Sequence, residues 1–157
     1  MKVVIIAAGQ GSRLKSQTEN SPKTLLNING NPLIYKLLKN CILPEISGVI
    51  IVTGYQHQII EDYITNVDLE INIETIYNPN WKLENGLSIL SARDAIPNGE
   101  NFIVSMSDHY YDSELLEMVV KTSLDDNIAT VGLDFNINNI FDIDDGMKVE
   151  VDPLDNT

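Results

Sequence analysis

The chain has a single cysteine, Cys41, so it can form no intrachain disulfide, and a reducing, cytoplasmic setting is expected. It is short of positive charge: ten Lys and Arg stand against 23 Asp and Glu, a net charge of −13. So acidic a balance argues against generic nucleic-acid binding, which needs a basic face. Long apolar runs are missing too. Val3–Ala8 is typical of the longest, far below the ~20 residues that cross a bilayer, so no direct membrane insertion is expected. Met1-Lys2 is followed by only six apolar residues before Gly9, which does not read as a secretory leader. No internal repeat and no linker composition is visible.

What is present suits one domain over residues 1–157, with 43% hydrophobic residues to build a core. The scarce positive charge is concentrated. Residues 1–41 hold Lys2, Arg13, Lys15, Lys23, Lys36 and Lys39 against one acid, Glu19. An acidic protein that binds an anion needs a local positive site, and this segment can supply it; a solvated set of surface lysines is the alternative.

Periodicity gives the order of elements. Lys2–Ala7 reads as a buried strand entering a glycine loop. Asn31-Pro32 reads as a helix start, with Leu33, Ile34, Leu37 and Leu38 on one face and Pro44 as the stop. Gly48–Thr53 is a second buried strand. A helical pattern follows it through Ile59, Ile60, Tyr63 and Ile64. Strict alternation over Leu69–Tyr77 predicts a half-buried strand, and Asn78-Pro79-Asn80 a turn. Then come a short helix over Leu87–Ala95, a strand over Phe102–Ser105, a helix over Ser113–Thr122 and a strand over Ile128–Leu133. Met147–Val151 is a candidate last strand after the acidic stretch Asn136–Asp145. Strands alternating with helices predict an α/β fold around a mainly parallel sheet, with helices on both faces.

The loop after the first strand carries the chemistry. In such sheets ligands bind beyond the carboxyl ends of the strands, and glycines let backbone amides approach phosphate oxygens. Gly9 and Gly11 fit neither familiar loop: Leu14 stands where a dinucleotide fingerprint needs its third small residue. Leu14 also replaces the glycine that a Walker loop needs before Lys15-Ser16. Two glycines alone are equally a tight strand-to-helix turn. Arg13 and Pro22-Lys23 change the balance, because two nearby cations suit a polyphosphate. Elsewhere, Asp142–Gly146 is a poor calcium loop: its glycine comes one position early and Pro153 stands in the place of the bidentate Glu. Cys41 reads as a buried structural thiol, His57 as a surface residue with no partner evident in the sequence, and Trp81 as packed, with stacking on a ligand the alternative.

"AAGQGSRL" at 7–14 and "SPKTLLNINGNPLI" at 21–34 together resemble the signature of the sugar-phosphate nucleotidyltransferase superfamily. In mid-chain, Asn78-Pro79-Asn80-Trp81, then Glu84-Asn85-Gly86-Leu87-Ser88, then Ser107-Asp108-His109 resemble the archaeal-type inositol-1-phosphate cytidylyltransferases. The bacterial phosphocholine cytidylyltransferases are similar in the same segments. The resemblance implies a Rossmann-like three-layer nucleotidyltransferase fold. It implies transfer of CMP from CTP to a small phosphorylated alcohol such as inositol 1-phosphate, with release of pyrophosphate. Phosphocholine or a sugar 1-phosphate is the alternative acceptor. A non-catalytic nucleotide-binding module is the alternative of another class.

By the same resemblance, Ala8, Gly9 and Gly11 meet the triphosphate with their amides, and Arg13 and Lys23 meet its charge. Thr53-Gly54 and Asn85-Gly86 lie around the base. Asp108 holds a divalent cation, Mg2+. Lys148 contacts the acceptor's phosphate, and Arg13, Lys23 and Asp108 form the catalytic set; His109, taken as an acceptor contact, is equally a metal ligand or a packed loop histidine on its residue type. A hard cation among phosphates needs few protein oxygens, and an aspartate just beyond a strand of this sheet can supply one. Base, acceptor and homo-oligomeric state stay open. Family members continue further and supply a second metal-binding aspartate, whereas this sequence stops at Leu154-Asp155-Asn156-Thr157. The fold is therefore expected to be C-terminally truncated, with nucleotide binding retained and turnover slow or absent.

Overall fold

The structure, a computed structural model, describes residues 1–11, 21–122, 129–133, 136 and 149–150. Its centre is a four-stranded sheet built from β1 (Lys2–Ala7), β4 (Gly48–Thr53), β5 (Ile73–Tyr77) and β6 (Phe102–Met106). The order is β5-β4-β1-β6, and every pairing is parallel. A two-residue antiparallel ribbon, β2 (Asn27–Ile28) with β3 (Asn31–Pro32), stands apart.

The two central strands are apolar along their whole length because both faces are covered. On one face Val3, Ile5, Val49 and Ile51 meet α1 (Leu33–Asn40), α2 (His57–Thr65) and α4 (Ser113–Lys121). Leu37 and Leu38 of α1 and Ile60 of α2 are fully buried there, each worth about 1.5–3 kcal/mol of burial. On the other face Val4, Ile6, Ile50 and Val52 lie under Ala92, with Trp81 and Ile89 packed beside it. Ile89 belongs to α3 (Asn85–Ser91), which forms this thinner layer with the 3-10 turn Arg93–Ala95. The α/β fold with a parallel sheet and helices on both faces is as expected. Cys41 is buried in the first layer, and burial pushes its thiol up to about 12, so it stays protonated.

Several boundaries differ from the sequence reading. Asn31-Pro32 does not open α1 but forms β3, and Leu33 N–H donates to the Leu26 carbonyl instead of to a side-chain cap. The ribbon turns at Asn29-Gly30, where both residues take positive φ, 52° and 89°. An Asn-Gly pair serves that geometry in a tight hairpin. Strand β5 begins only at Ile73, because its partner β4 offers no pairing before Val49. Leu69 and Ile71 keep their alternation by packing on the core without a ladder. The expected helix 87–95 starts earlier, at Asn85, and breaks into α3 and the 3-10 turn.

The strand expected at Ile128–Leu133 is not found in its described residues 129–133, which are exposed; Val131 is 68% exposed. A short apolar run becomes a strand only where a sheet edge and a covering layer receive it. Of the strand expected at Met147–Val151, only Val149 and Glu150 are described, and neither is in a strand. Among the described residues no helix is long and apolar enough to cross a membrane.

Candidate active site

The chain runs from β1 to β4 and β5 on one side of the sheet, then returns to place β6 on the other side of β1. The strand order reverses at β1, and a crevice lies beyond the carboxyl ends of β1 and β6. Gly9, Gly11, Lys23, Thr24 and Asp108 all line it. Asp108 reaches this position because Ser107 N–H donates to the Ile6 carbonyl at 3.0 Å, carrying the chain one step past β6 beside β1. Asn40 Nδ2 donates to the Tyr111 carbonyl and ties the following loop to α1.

Across the crevice, Lys23 Nζ lies 2.9 Å from Asp108 Oδ2, joining residues 85 positions apart. Both side chains are about one-third exposed, 33% and 32%. Burial pushes the Asp108 carboxyl up. The Lys23 hydrogen bond and charge, with help from His109, outweigh that and hold it below its ordinary value. His109 Nε2 stands 3.9 Å from Asp108 Oδ1 on a side chain that is 75% exposed. Lys23 is set by Pro22 and the 3-10 turn Lys23–Leu25. Gly11, at φ +59°, runs against the Lys23 stem so closely that a Cβ there would lie 3.0 Å from the Lys23 Cβ.

Thr24 was not singled out from sequence. It is 3% exposed and lines the crevice, and among the described residues its buried Oγ1 has no hydrogen-bond partner. Its position next to Pro22-Lys23 was the available signal. Gly9 has no positive φ, and among the described residues nothing crowds a notional Cβ, so these residues do not require glycine there. Gly86 is equally uncrowded and exposed, with Asn85, at the start of α3.

The loop after β4 is different. Thr53 is fully buried, and its hydroxyl donates to Glu61 Oε1 at 2.8 Å. A Cβ on Gly54 would meet the Trp81 Cβ at 2.4 Å and the Ala8 carbonyl oxygen at 2.6 Å. Tyr55 N–H donates to that same carbonyl at 2.9 Å. Gly54 is thus packed against Ala8 and Trp81, and the Thr53 side chain is closed off from solvent. His57 is not a surface residue without a partner: Nδ1 lies 3.2 Å from Glu61 Oε2, and its ring packs on Tyr77. Trp81 packs on Gly54 and Tyr55 as expected. Buried Asn78 pins the segment that leads to Asn85: its Nδ2 donates to Ser88 Oγ at 3.0 Å and its Oδ1 accepts from Asn80 N–H at 2.8 Å.

Arg13, Lys148 and the aspartates at 142, 144 and 145 lie outside the described residues. Among the described residues no group of three or more His, Cys, Asp or Glu could hold a metal ion. The crevice nonetheless suits Mg2+. Asp108 offers one ionised carboxylate that already holds a cation, and Mg2+ typically takes one or two carboxylates and completes its shell with phosphate oxygens and water.

A family model described as "Nucleotidyl transferase" matches residues 2–135. The "Bifunctional IPC transferase and DIPP synthase" of Aquifex aeolicus is 35% identical over 119 residues, 75% of this chain and 27% of that protein. The CTP:phosphocholine cytidylyltransferase structure from Streptococcus pneumoniae aligns at a TM-score of 0.58 and 27% identity, covering 72% of this chain and 49% of that one. The inositol-1-phosphate CTP transferase structure from T. maritima aligns at a TM-score of 0.60, covering 68% and 43%; at 21% identity it speaks for the fold alone. The chain spans roughly a quarter of the length of the first of these relatives (27%) and about half that of the two structures (49% and 43%).

Proposed function

The chain belongs to the nucleotidyl transferase family, and from that membership we propose that it carries the nucleotide half of a cytidylyltransfer reaction. CTP donates CMP to a small phosphorylated alcohol such as inositol 1-phosphate, and pyrophosphate leaves. One observation carries this reading: the Lys23 ammonium and the Asp108 carboxylate meet at 2.9 Å beside Gly9 and Gly11, at the carboxyl ends of adjacent strands. Cation, acceptor of a cation and open backbone amides are the three things a triphosphate with its metal requires.

An oxygen of the acceptor's phosphate attacks the α-phosphorus in line; the bond from the α-phosphorus to the bridging oxygen breaks, and its electrons leave with pyrophosphate. The nucleophile is already an anion, so no strong general base is needed. The difficulty is bringing two anions together, and positioning with charge neutralisation is the remedy. Lys23 and Arg13 hold phosphate charge, and the amides at Gly9 and Gly11 orient the triphosphate. Mg2+ held at Asp108 supplies the remaining neutralisation. Thr53-Gly54 and Asn85-Gly86 lie around the base. His109 and Lys148 serve the acceptor. Phosphocholine is the second acceptor reading, supported by the Streptococcus pneumoniae relative.

The test is pyrophosphate release by the purified chain with Mg2+, over CTP, UTP, ATP and GTP and over inositol 1-phosphate, phosphocholine and glucose 1-phosphate. Slow release with CTP that is lost in Asp108→Asn is expected. Binding of CTP without release from any pair would instead make the chain a nucleotide-binding module. Equal use of CTP and ATP would sink the cytidylyl assignment, because polar groups matched to one base reject another strongly.

A further inference from the structure

Lys23 and Asp108 have conflicting assignments. Under the proposed function, on which this inference rests, Lys23 binds the triphosphate and Asp108 binds the divalent cation. Yet Lys23 Nζ and Asp108 Oδ2 are 2.9 Å apart and occupy each other. The second carboxylate oxygen, Oδ1, faces His109 at 3.9 Å. A divalent cation arriving at Asp108 would find an ammonium already there, and like charges sharing one carboxylate repel.

The geometry lets the conflict be resolved by a swing of one side chain. The Lys23 backbone is held by Pro22 and the 3-10 turn, and its stem lies along Gly11, part of the loop proposed to receive the triphosphate. Beyond that stem the ammonium is a hydrated point charge on a flexible chain, and it is one-third exposed. Movement from Asp108 toward the loop needs no backbone change.

We infer that Lys23 is the resident counter-ion of Asp108 in the nucleotide-free chain. Triphosphate binding draws the ammonium onto phosphate oxygen and frees the carboxylate for the divalent cation. Nucleotide and metal then bind with positive coupling, and by linkage each strengthens the other. In the nucleotide-free chain Lys23 suppresses metal binding at Asp108, so Asp108 is guarded until the phosphates arrive. Lys23 is in this respect a positioning residue as well as a phosphate contact.

The experiment uses Mn2+ alone as the probe, with free Mn2+ read by electron paramagnetic resonance in nucleotide-free protein. Lys23→Gln and Lys23→Met should each bind Mn2+ roughly tenfold more tightly than the parent chain, since an adjacent cation is removed from the carboxylate. Lys121→Gln makes the same charge change at the end of α4 and should shift affinity less than about twofold, because that side chain is 65% exposed beside Glu117 and is not part of the crevice lining. Adding Asp108→Asn to Lys23→Gln should abolish the gain. Asp108-dependent Mn2+ binding that is unchanged or weaker in Lys23→Gln would overturn the counter-ion role alone. Absence of any Asp108-dependent Mn2+ binding, in every variant, would remove Asp108 as a cation ligand and overturn the inference with that part of the functional reading.

Discussion

Two loops leave the carboxyl edge of the same sheet from adjacent strands, and they are built in opposite ways. The loop after β1 carries Gly9, which no described residue crowds; the loop after β4 carries Gly54, pressed between Trp81 and the Ala8 carbonyl. One glycine leaves backbone open, the other lets backbone and side chain cross. The side chains follow the same division. Around the β1 loop, Lys23 and Asp108 are partly exposed and face each other across a crevice. After β4, Thr53 is sealed and bonded to Glu61. A glycine that the fold does not need is a better pointer to a ligand than a glycine that it does.

The sharpest way to break this comparison is to put alanine at both positions. Gly54→Ala should destabilise the fold by about 3 kcal/mol, since overpacking against backbone leaves little room to relax. Gly9→Ala should change stability by less than about 0.5 kcal/mol, as an uncrowded surface position allows. The same Gly9→Ala should weaken CTP binding, because the new methyl stands where the triphosphate is proposed to approach. Urea midpoints for the two variants and a CTP titration of Gly9→Ala check it. Equal stability losses at the two glycines would erase the distinction between an open and a closed loop.

Legibility in the sequence followed the same line. β1 and β4 were readable because strands buried on both faces are continuously apolar, and α1 because Leu33, Ile34, Leu37 and Leu38 mark one face. The crevice set Gly9, Gly11, Lys23 and Asp108 was readable from motif resemblance, and topology alone brings its distant parts together. What was missed depends on tertiary partners. The start of β5 is set by where β4 can pair, and residues 129–133 are exposed and belong to no strand. His57–Glu61 is an i,i+4 pair that helix spacing alone can show, but the further bond from Thr53 to Glu61 joins the end of a strand to a helix, which no local pattern encodes. Thr24 is marked in the sequence only by its place beside Pro22-Lys23; its buried hydroxyl, unpartnered among the described residues, is a fact of the fold.

A smaller effect tests how the closed side supports the open one. Asn78 links the end of β5 to Ser88 of α3, the helix that begins with Asn85 and Gly86. Asn78→Ala removes two side-chain hydrogen bonds and leaves Ser88 Oγ and the Asn80 amide without that partner. A loss of about 1–3 kcal/mol in unfolding free energy is expected. Ser88→Ala should cost less, because Asn78 retains its bond to the Asn80 amide. Identical losses would mean that the Asn78–Ser88 bond carries the whole contribution.

The smallest effect is electrostatic and belongs to the open side. Asp108 lies below its ordinary carboxyl value of 3.8 in the folded chain. A depressed folded value means that the unfolded chain takes up the proton first as pH falls. The contribution of Asp108 to stability is therefore fully present above about pH 5, and it is lost as pH falls below 3.8 through the lowered folded value. The pair is one-third exposed and solvent-screened, so the loss should stay within about 1 kcal/mol. Many other carboxylates titrate in the same range, so the useful measurement is a difference: urea unfolding of the parent chain and of Lys23→Gln, each at pH 6 and at pH 3. Lys23→Gln removes the hydrogen bond and charge that hold the carboxyl down and leaves burial, which pushes it up, as the dominant influence. The Asp108 share of the acid dependence should then vanish or change sign. The gap in stability between parent and variant should accordingly be wider at pH 6 than at pH 3. A gap that does not depend on pH would mean that Lys23 supports the fold through its packed stem on Gly11 and not through its charge on Asp108.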